Sequence, residues 1–228
     1  MPNQHLQVND RERLSFPPDL EELCRLALER GADDAAVIPG NHIILDPRVR
    51  FKCMIPKCYM SGGCDHCPPH GYSLDQVRDM VDQYQWAVFF RVKVPSAVIA
   101  AKDVGPAIGT GVMSKDGSTL NLGGFYILVF TIVALLKKQA AQMGFSKPFG
   151  FAAGNCRDPL CHLQPVCQKL VTNQGCRNEA LSSPSLESCG MDAFTMAARQ
   201  GWDVYPIGGT CQPDSLPHGS LMGLVLTA

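Results

Sequence analysis

Eight of the chain's cysteines fall into two short segments. Cys53, Cys58, Cys64 and Cys67 lie within fifteen residues of the stretch Phe51 to His70, which is rich in Gly, Pro and Lys. A segment of that composition is a poor candidate for core, so its thiols read as ligands rather than as packing. Four thiolates on a short, winding backbone form the donor set of structural zinc or of an iron–sulfur cluster. Cys156, Cys161, Cys167 and Cys176 make a second group. The two groups share a spacing, Cys53-x4-Cys58-x5-Cys64 and Cys156-x4-Cys161-x5-Cys167.

The spacing discriminates between metals. Zinc is usually held by two Cys-x2–4-Cys knuckles about a dozen or more residues apart, so that two hairpins meet around one ion. Only five residues separate Cys58 from Cys64, which suits one loop curling around a larger object. A cluster of the [4Fe-4S] type is such an object, with zinc as the alternative and redox-active free thiols as the third reading. Cys67-Pro68 also matches the end of the bacterial ferredoxin run, although the spacing before it does not. Cys64 is the least secure of the first four. His66, His70 and His162 stand in or beside the loops and suit second-sphere or surface positions. Cys24 lies on an apolar helical stripe and reads as core.

Bulk properties set the remaining bounds. The chain has 228 residues, 46% hydrophobic and 18% charged, with 11 cysteines and a formal net charge of −1. Lys and Arg are not clustered, so no sequence-independent grip on nucleic acid is expected. The start, MPNQHLQVNDRERL, has no secretory apolar region. The longest apolar run, Phe125 to Leu136, is shorter than the ~18–20 residues a bilayer span requires. The expectation is a cytoplasmic protein, not in a membrane, with reduced thiols.

The elements that would position the thiols follow from periodicity and punctuation. Residues 1–16 read as a loose arm. Asp19, Glu21 and Glu22 open a helix after Pro17-Pro18, its apolar stripe is Leu20, Leu23, Cys24, Ala27 and Leu28, and Gly31 closes it. Strands are expected at 35–38 and 42–45. Ser73 and Gln76 form a capping box before a helix, and Trp86 to Val94 is a β-branched and aromatic strand. Residues 95–122 form a Gly-rich connecting loop without phosphate-loop spacing, suited to facing a substrate. A long helix over 123–143 and a strand over 149–153 lead into the second cysteine segment. Ser183-Pro184 reads as the start of a third long helix ending at Gly201, with strands at 202–207 and 221–226. The pattern points to a single α/β or α+β domain over 1–228, a mixed sheet carrying helices. It reads as two similar halves, 17–94 with the cysteine loop 53–67 and 123–228 with the loop 156–176.

Lys52-Cys53, Pro56-Lys57-Cys58, Gly62 and Cys67-Pro68-Pro69 resemble the front motif of an uncharacterised domain family described as predicted metal-binding proteins. Cys176-Arg177, Pro184-Ser185-x-Glu187, Gly190 and Asp192 resemble its back motif. The resemblance runs from about Leu20 to Leu226. It implies cysteine-bound metal, foremost iron–sulfur, in the reducing cytoplasm of anaerobic bacteria and archaea. Cys64 is additional to the front motif, Ser61 stands where Tyr is common, and the back cysteines are more widely spaced than usual. If Cys53, Cys58 and Cys67 alone were the front ligands, one iron of a cubane would be left open.

Three functions follow as expectations. The first is an iron–sulfur protein passing electrons to or within a redox partner. The second is an enzyme using an open iron on a small substrate, and the third is a zinc-stabilised interaction module. Glu187 would serve the helix dipole or transfer protons, and Asp192 need not act with it. Arg177 would pair with an acid, offset cluster charge or hold an anionic substrate.

Overall fold

The computed structural model describes residues 16–100, 112–113, 119–172, 174–207, 211–212 and 215–228. Its frame is a four-stranded sheet built on two long strands, β2 (Trp86–Pro95) and β6 (His218–Thr227). They pair antiparallel along their full length, from Trp86 opposite Thr227 to Pro95 opposite His218. The edges are β1 (Asp34–Pro39), paired with β2, and β5 (Phe149–Phe151), paired with β6. The order is β1-β2-β6-β5 and every pairing is antiparallel. The chain thus adopts the α+β form of the expectation.

The two central strands are apolar on both faces because both faces are covered. Val88, Phe90, Val92, Leu221 and Val225 face one helical layer. That layer is α1 (Pro18–Glu29), through Leu20, Leu23 and Ala27, and α5 (Leu122–Gln142), through Val129, Phe130, Ile132, Val133 and Leu136. Phe89, Met222, Leu224 and Leu226 face the other. There α3 (Leu74–Val81) buries Val77 and Val81, and α8 (Ala193–Arg199) buries Met196 and Ala197. Arg91, inside β2, is accommodated by Asp34 at 2.8 Å and by the Trp202 ring. The remaining short elements are α2 (Pro47–Phe51), α4 (Ser96–Ile99), α6 (Arg157–Cys161), α7 (Gln168–Thr172), a 3-10 turn at Gly40–His42 and a two-stranded ribbon of β3 (Val112–Met113) and β4 (Thr119–Leu120).

Several expectations are met closely. Gly31 follows α1 with φ +105°, and the Ser73–Gln76 capping box is formed in both directions. Helix α5 is longer than the apolar run within it. By length and composition it is the one helix among the described residues that would cross a membrane. About 33% of its apolar stretch is buried, through the face that packs against the sheet.

Three expectations are corrected. The segment 42–45 forms a turn and a single bridge, Leu45 to Met191, in place of a strand. Residues 202–207 pair with no strand among the described residues. The long helix from Ser183 does not form. Ser185 bridges Ala152, residues 186–190 turn, and Gly190 takes φ +75° with Leu74 Cδ2 where a Cβ would sit, 2.3 Å away. Helix α8 starts only after that turn, with Asp192 capping it through Thr195 N at 3.0 Å. Glu187 therefore lies on a turn, and its reading as a helix-dipole partner falls away. Of the Gly-rich loop 95–122, residues 101–111 and 114–118 lie outside the described residues, as do residues 1–15 of the N-terminal arm. With the short helices α2, α4, α6 and α7 and the β3–β4 ribbon set aside, the order helix–strand–cysteine loop–helix–strand can be read twice; that the chain is built from two similar halves stays a proposal.

Candidate metal centre

The front loop leaves α2 and coils on its own backbone. Cys53 N donates to Arg50 O, Cys58 N to Cys53 O, Ser61 N to Cys58 O and Cys67 N to Cys64 O, at 3.0–3.1 Å. Gly62 N donates across the coil to Pro68 O at 2.7 Å. These turns need no sheet or long helix, which is why Gly and Pro dominate the segment. Its entrance is fixed to the 185–192 segment. Asp46 N donates to Gly190 O, Asp192 N to Ile44 O, and Arg50 Nη1 to Ser188 O at 3.1 Å.

The back loop begins where β5 stops pairing with β6. Asn155 takes Asp158 N at 2.9 Å and starts α6, which carries Cys161. Cys167 precedes α7, and Cys176 follows it. Two contacts then join the loops. Tyr59 OH donates to Asp158 Oδ2 at 2.6 Å, and Lys169 Nζ meets Asp65 Oδ2 at 2.7 Å.

The eight thiols form no disulfide and divide in a way the linear order does not show. Cys64 leaves its own loop's group: with Cys156, Cys161, Cys167 and Cys176 it lines a narrow back cavity of about 20 Å³. Cys53, Cys58 and Cys67 line a front cavity of about 340 Å³. The groups meet at one wall, where Cys64 Sγ stands 3.2 Å from Cys67 Sγ. Cys64 is 1% exposed and Cys156 8%. The side-chain hydrogen bonds that Cys64 shares with Cys156 and Cys67 lower the pKa of its thiol. The same bonds, followed by burial, push Cys156 and Cys67 up. Buried sulfurs packed this closely form an arrangement suited to a bound cation.

The donor chemistry fits a soft metal centre. The back cavity offers five thiols and no carboxylate, the set that selects zinc or iron–sulfur over hard cations. Among the described residues no three His, Cys, Asp or Glu side chains stand as a single ion would require. Cys64, Cys67 and Cys156 are in contact around Cys64, and the other five thiols line the two cavities.

The other residues singled out in the sequence take varied places. His66 lies beside the back thiols in a third cavity of about 200 Å³, with its pKa lowered by burial. His70 and His162 are exposed. Arg177 donates to Val166 O at 3.0 Å and lines the back cavity, so it pairs with a carbonyl in place of an acid. Asp192 serves as the α8 cap. Glu187 lines the front cavity, and its pKa is raised by burial against the opposing pull of its own N–H, Gly154 N–H and Ser185. Gly154 can make that approach because φ is +65° and the Tyr126 ring stands 2.7 Å from where a Cβ would be.

One residue with an evident role was not legible in the sequence. Asn178 Nδ2 donates to Cys161 Sγ at 3.0 Å and to Leu160 O at 3.0 Å, while its backbone N reaches Cys176 Sγ at 3.4 Å. Its only sequence signal is its place two residues after Cys176.

Residues 36–226 match the family described as "Predicted metal-binding protein (DUF2284)". No curated protein and no solved structure matches the chain.

Proposed function

The chain belongs to that family of predicted metal-binding proteins, and from this we propose that it binds two iron–sulfur clusters of the [4Fe-4S] type and passes electrons through them to a redox partner protein in a reducing, anaerobic cytoplasm. The observation that carries the proposal is the division of eight thiols around two cavities that touch at the 3.2 Å Cys64–Cys67 contact. Clusters held by thiolates take up and release single electrons. The chain's part is to hold them side by side and to set their surroundings. The back cavity as it stands has room for about one water, so Cys156, Cys161, Cys167 and Cys176 would be ligands there with the loop spread around the cluster. Cys64 would stand at the wall, and Asn178 would donate to two of the ligand sulfurs, the kind of contact that tunes a centre's potential. In the front cavity Cys53, Cys58 and Cys67 would be the ligands.

A second reading is favoured by a specific contrast. The front cavity has three thiols, not four, and room beside them. A centre held there by three residues would leave a position for a small substrate, which makes this end the seat of any catalysis.

The test is anaerobic purification with iron, sulfide and zinc counted in the same sample. A brown protein whose broad absorption bleaches with dithionite, with close to eight irons per chain, is the expected result. A colourless protein with stoichiometric zinc would overturn both iron readings in favour of a zinc-stabilised module.

A further inference from the structure

Among the described residues only two buried side-chain oxygens have no hydrogen-bond partner, Glu187 Oε2 and Ser220 Oγ. They come from opposite parts of the fold, one from the 186–190 turn and one from β6, yet both line the front cavity. An unpaired buried polar atom is destabilising. Two in one space, with none elsewhere among the described residues, mark a place shaped for an occupant.

The chemistry of the occupant follows from the lining. Glu187 already receives Gly154 N–H and Ser185, and Ser185 Oγ in turn accepts from Ser188 N at 2.9 Å. Backbone N–H groups only donate, so the oxygen they reach is an acceptor, and with Glu187 ionised its free oxygen calls for a donor. Three thiols and the Tyr59 and Tyr126 phenols share the cavity, while the one lysine, Lys52, is exposed. The one carboxyl group on this lining is Glu187, and when ionised it favours a cationic group over an anion. A centre on Cys53, Cys58 and Cys67 would fill part of the cavity of about 340 Å³, so what remains beside Glu187 suits only a small molecule.

We propose that the front cavity is a binding site for a small organic amine, whose N–H donors pair with Glu187 Oε2 while a second polar group meets Ser220 Oγ. The site lies against Cys53, Cys58 and Cys67, so this deepens the reading of a substrate-accepting front centre and rests on it only for what the amine would face. Water alone, or a metal that takes Glu187 as a ligand, are the competing occupants.

The test uses the full chain, purified anaerobically, with ethanolamine as the probe, acetate as the anionic control and calorimetry as the readout. Iron and sulfide are counted in each sample. Saturable ethanolamine binding without acetate binding is expected. Glu187→Gln should weaken it by about tenfold or more and Ser220→Ala by about three- to tenfold, as expected for a charged and a neutral hydrogen bond. Removing an unpaired buried charge should leave the ligand-free melting temperature of Glu187→Gln no lower than that of the parent; a fall would identify a structural role and overturn the proposal. Absence of binding to the parent protein would also overturn it. So would a Glu187→Gln protein that loses iron from the front site but binds ethanolamine as before, because Glu187 would then be a metal ligand. A sample without iron that still binds the amine would refute the cluster reading and leave the amine site standing.

Discussion

The front and back loops share the spacing Cys-x4-Cys-x5-Cys and end in different surroundings. The back loop folds its four thiols into a tight cavity of about 20 Å³, takes a fifth from its neighbour, and supplies amide donors to the sulfurs through Asn178. The front loop gives up Cys64 and keeps three thiols on a cavity of about 340 Å³, with a buried carboxylate that lacks a full set of partners. Equal spacing along a chain therefore did not produce equal sites. What separates them is the third element each loop packs against. For the back loop it is α5, against which α6 packs; for the front loop it is the 185–192 turn, which brings in Glu187.

The sharpest way to break this comparison is to empty one side. Cys58→Ala should remove the front centre and Cys161→Ala the back centre, each taking about half of the bound iron. Loss of all iron from either single change would mean that the loops share one centre. Cys64→Ala is expected to act on the back side of the division, changing the spectrum or iron retention of the back centre while the front iron stays. If Cys64→Ala instead matched Cys58→Ala, the regrouping would fail and Cys64 would belong with its own loop.

How much of this was legible follows from the type of signal. The elements α1, α3, β2 and α5 are written in local periodicity, with caps at Ser73 and Gly31, and local signals survive folding. The helix expected from Ser183-Pro184 was not legible because the competing signal is tertiary. Ser185 is drawn into a bridge with Ala152, and Gly190 must pass within 2.3 Å of Leu74 at its Cβ position. With that helix went the role of Glu187, which a dipole argument places at a terminus and the fold places in a cavity. The cysteine loops were legible as loops, since thiols amid Gly and Pro have no use as core. Their partition was not, because spacing says which residues can meet within a loop and nothing about a sulfur that crosses to the next one.

The turn that separates the sites offers a test through stability. Gly190→Ala adds a Cβ against Leu74 at a positive φ, and strain of this kind costs about 1–3 kcal/mol. Asp46 N and Arg50 tie the front loop to the same turn. The variant should therefore melt several degrees lower and lose front-site metal before back-site metal on heating, followed by absorption and metal release. Equal loss from both sites would show that the turn supports the whole fold and not the front site in particular. A smaller and more local effect is expected from Asn178→Leu, which removes the Nδ2 donor to Cys161 Sγ while leaving the backbone contact to Cys176. The back centre's potential should fall, because donors to sulfur favour the reduced state, and the front centre's should not move.

The smallest effect belongs to the ion pair between the loops. Lys169 and Asp65 stand 2.7 Å apart, but their side chains are 48% and 29% exposed. Water and salt screen a pair so placed, which limits it to about 1 kcal/mol or less. Lys169→Met should therefore shift the melting temperature slightly at low salt and not at all at high salt. The Tyr59–Asp158 bond and the sulfur wall at Cys64 and Cys67 remain in that variant, so metal content should be unchanged. A large loss of metal would mean that the loops depend on this pair to stay in register, and that the two cavities are one cooperative unit instead of two neighbouring sites.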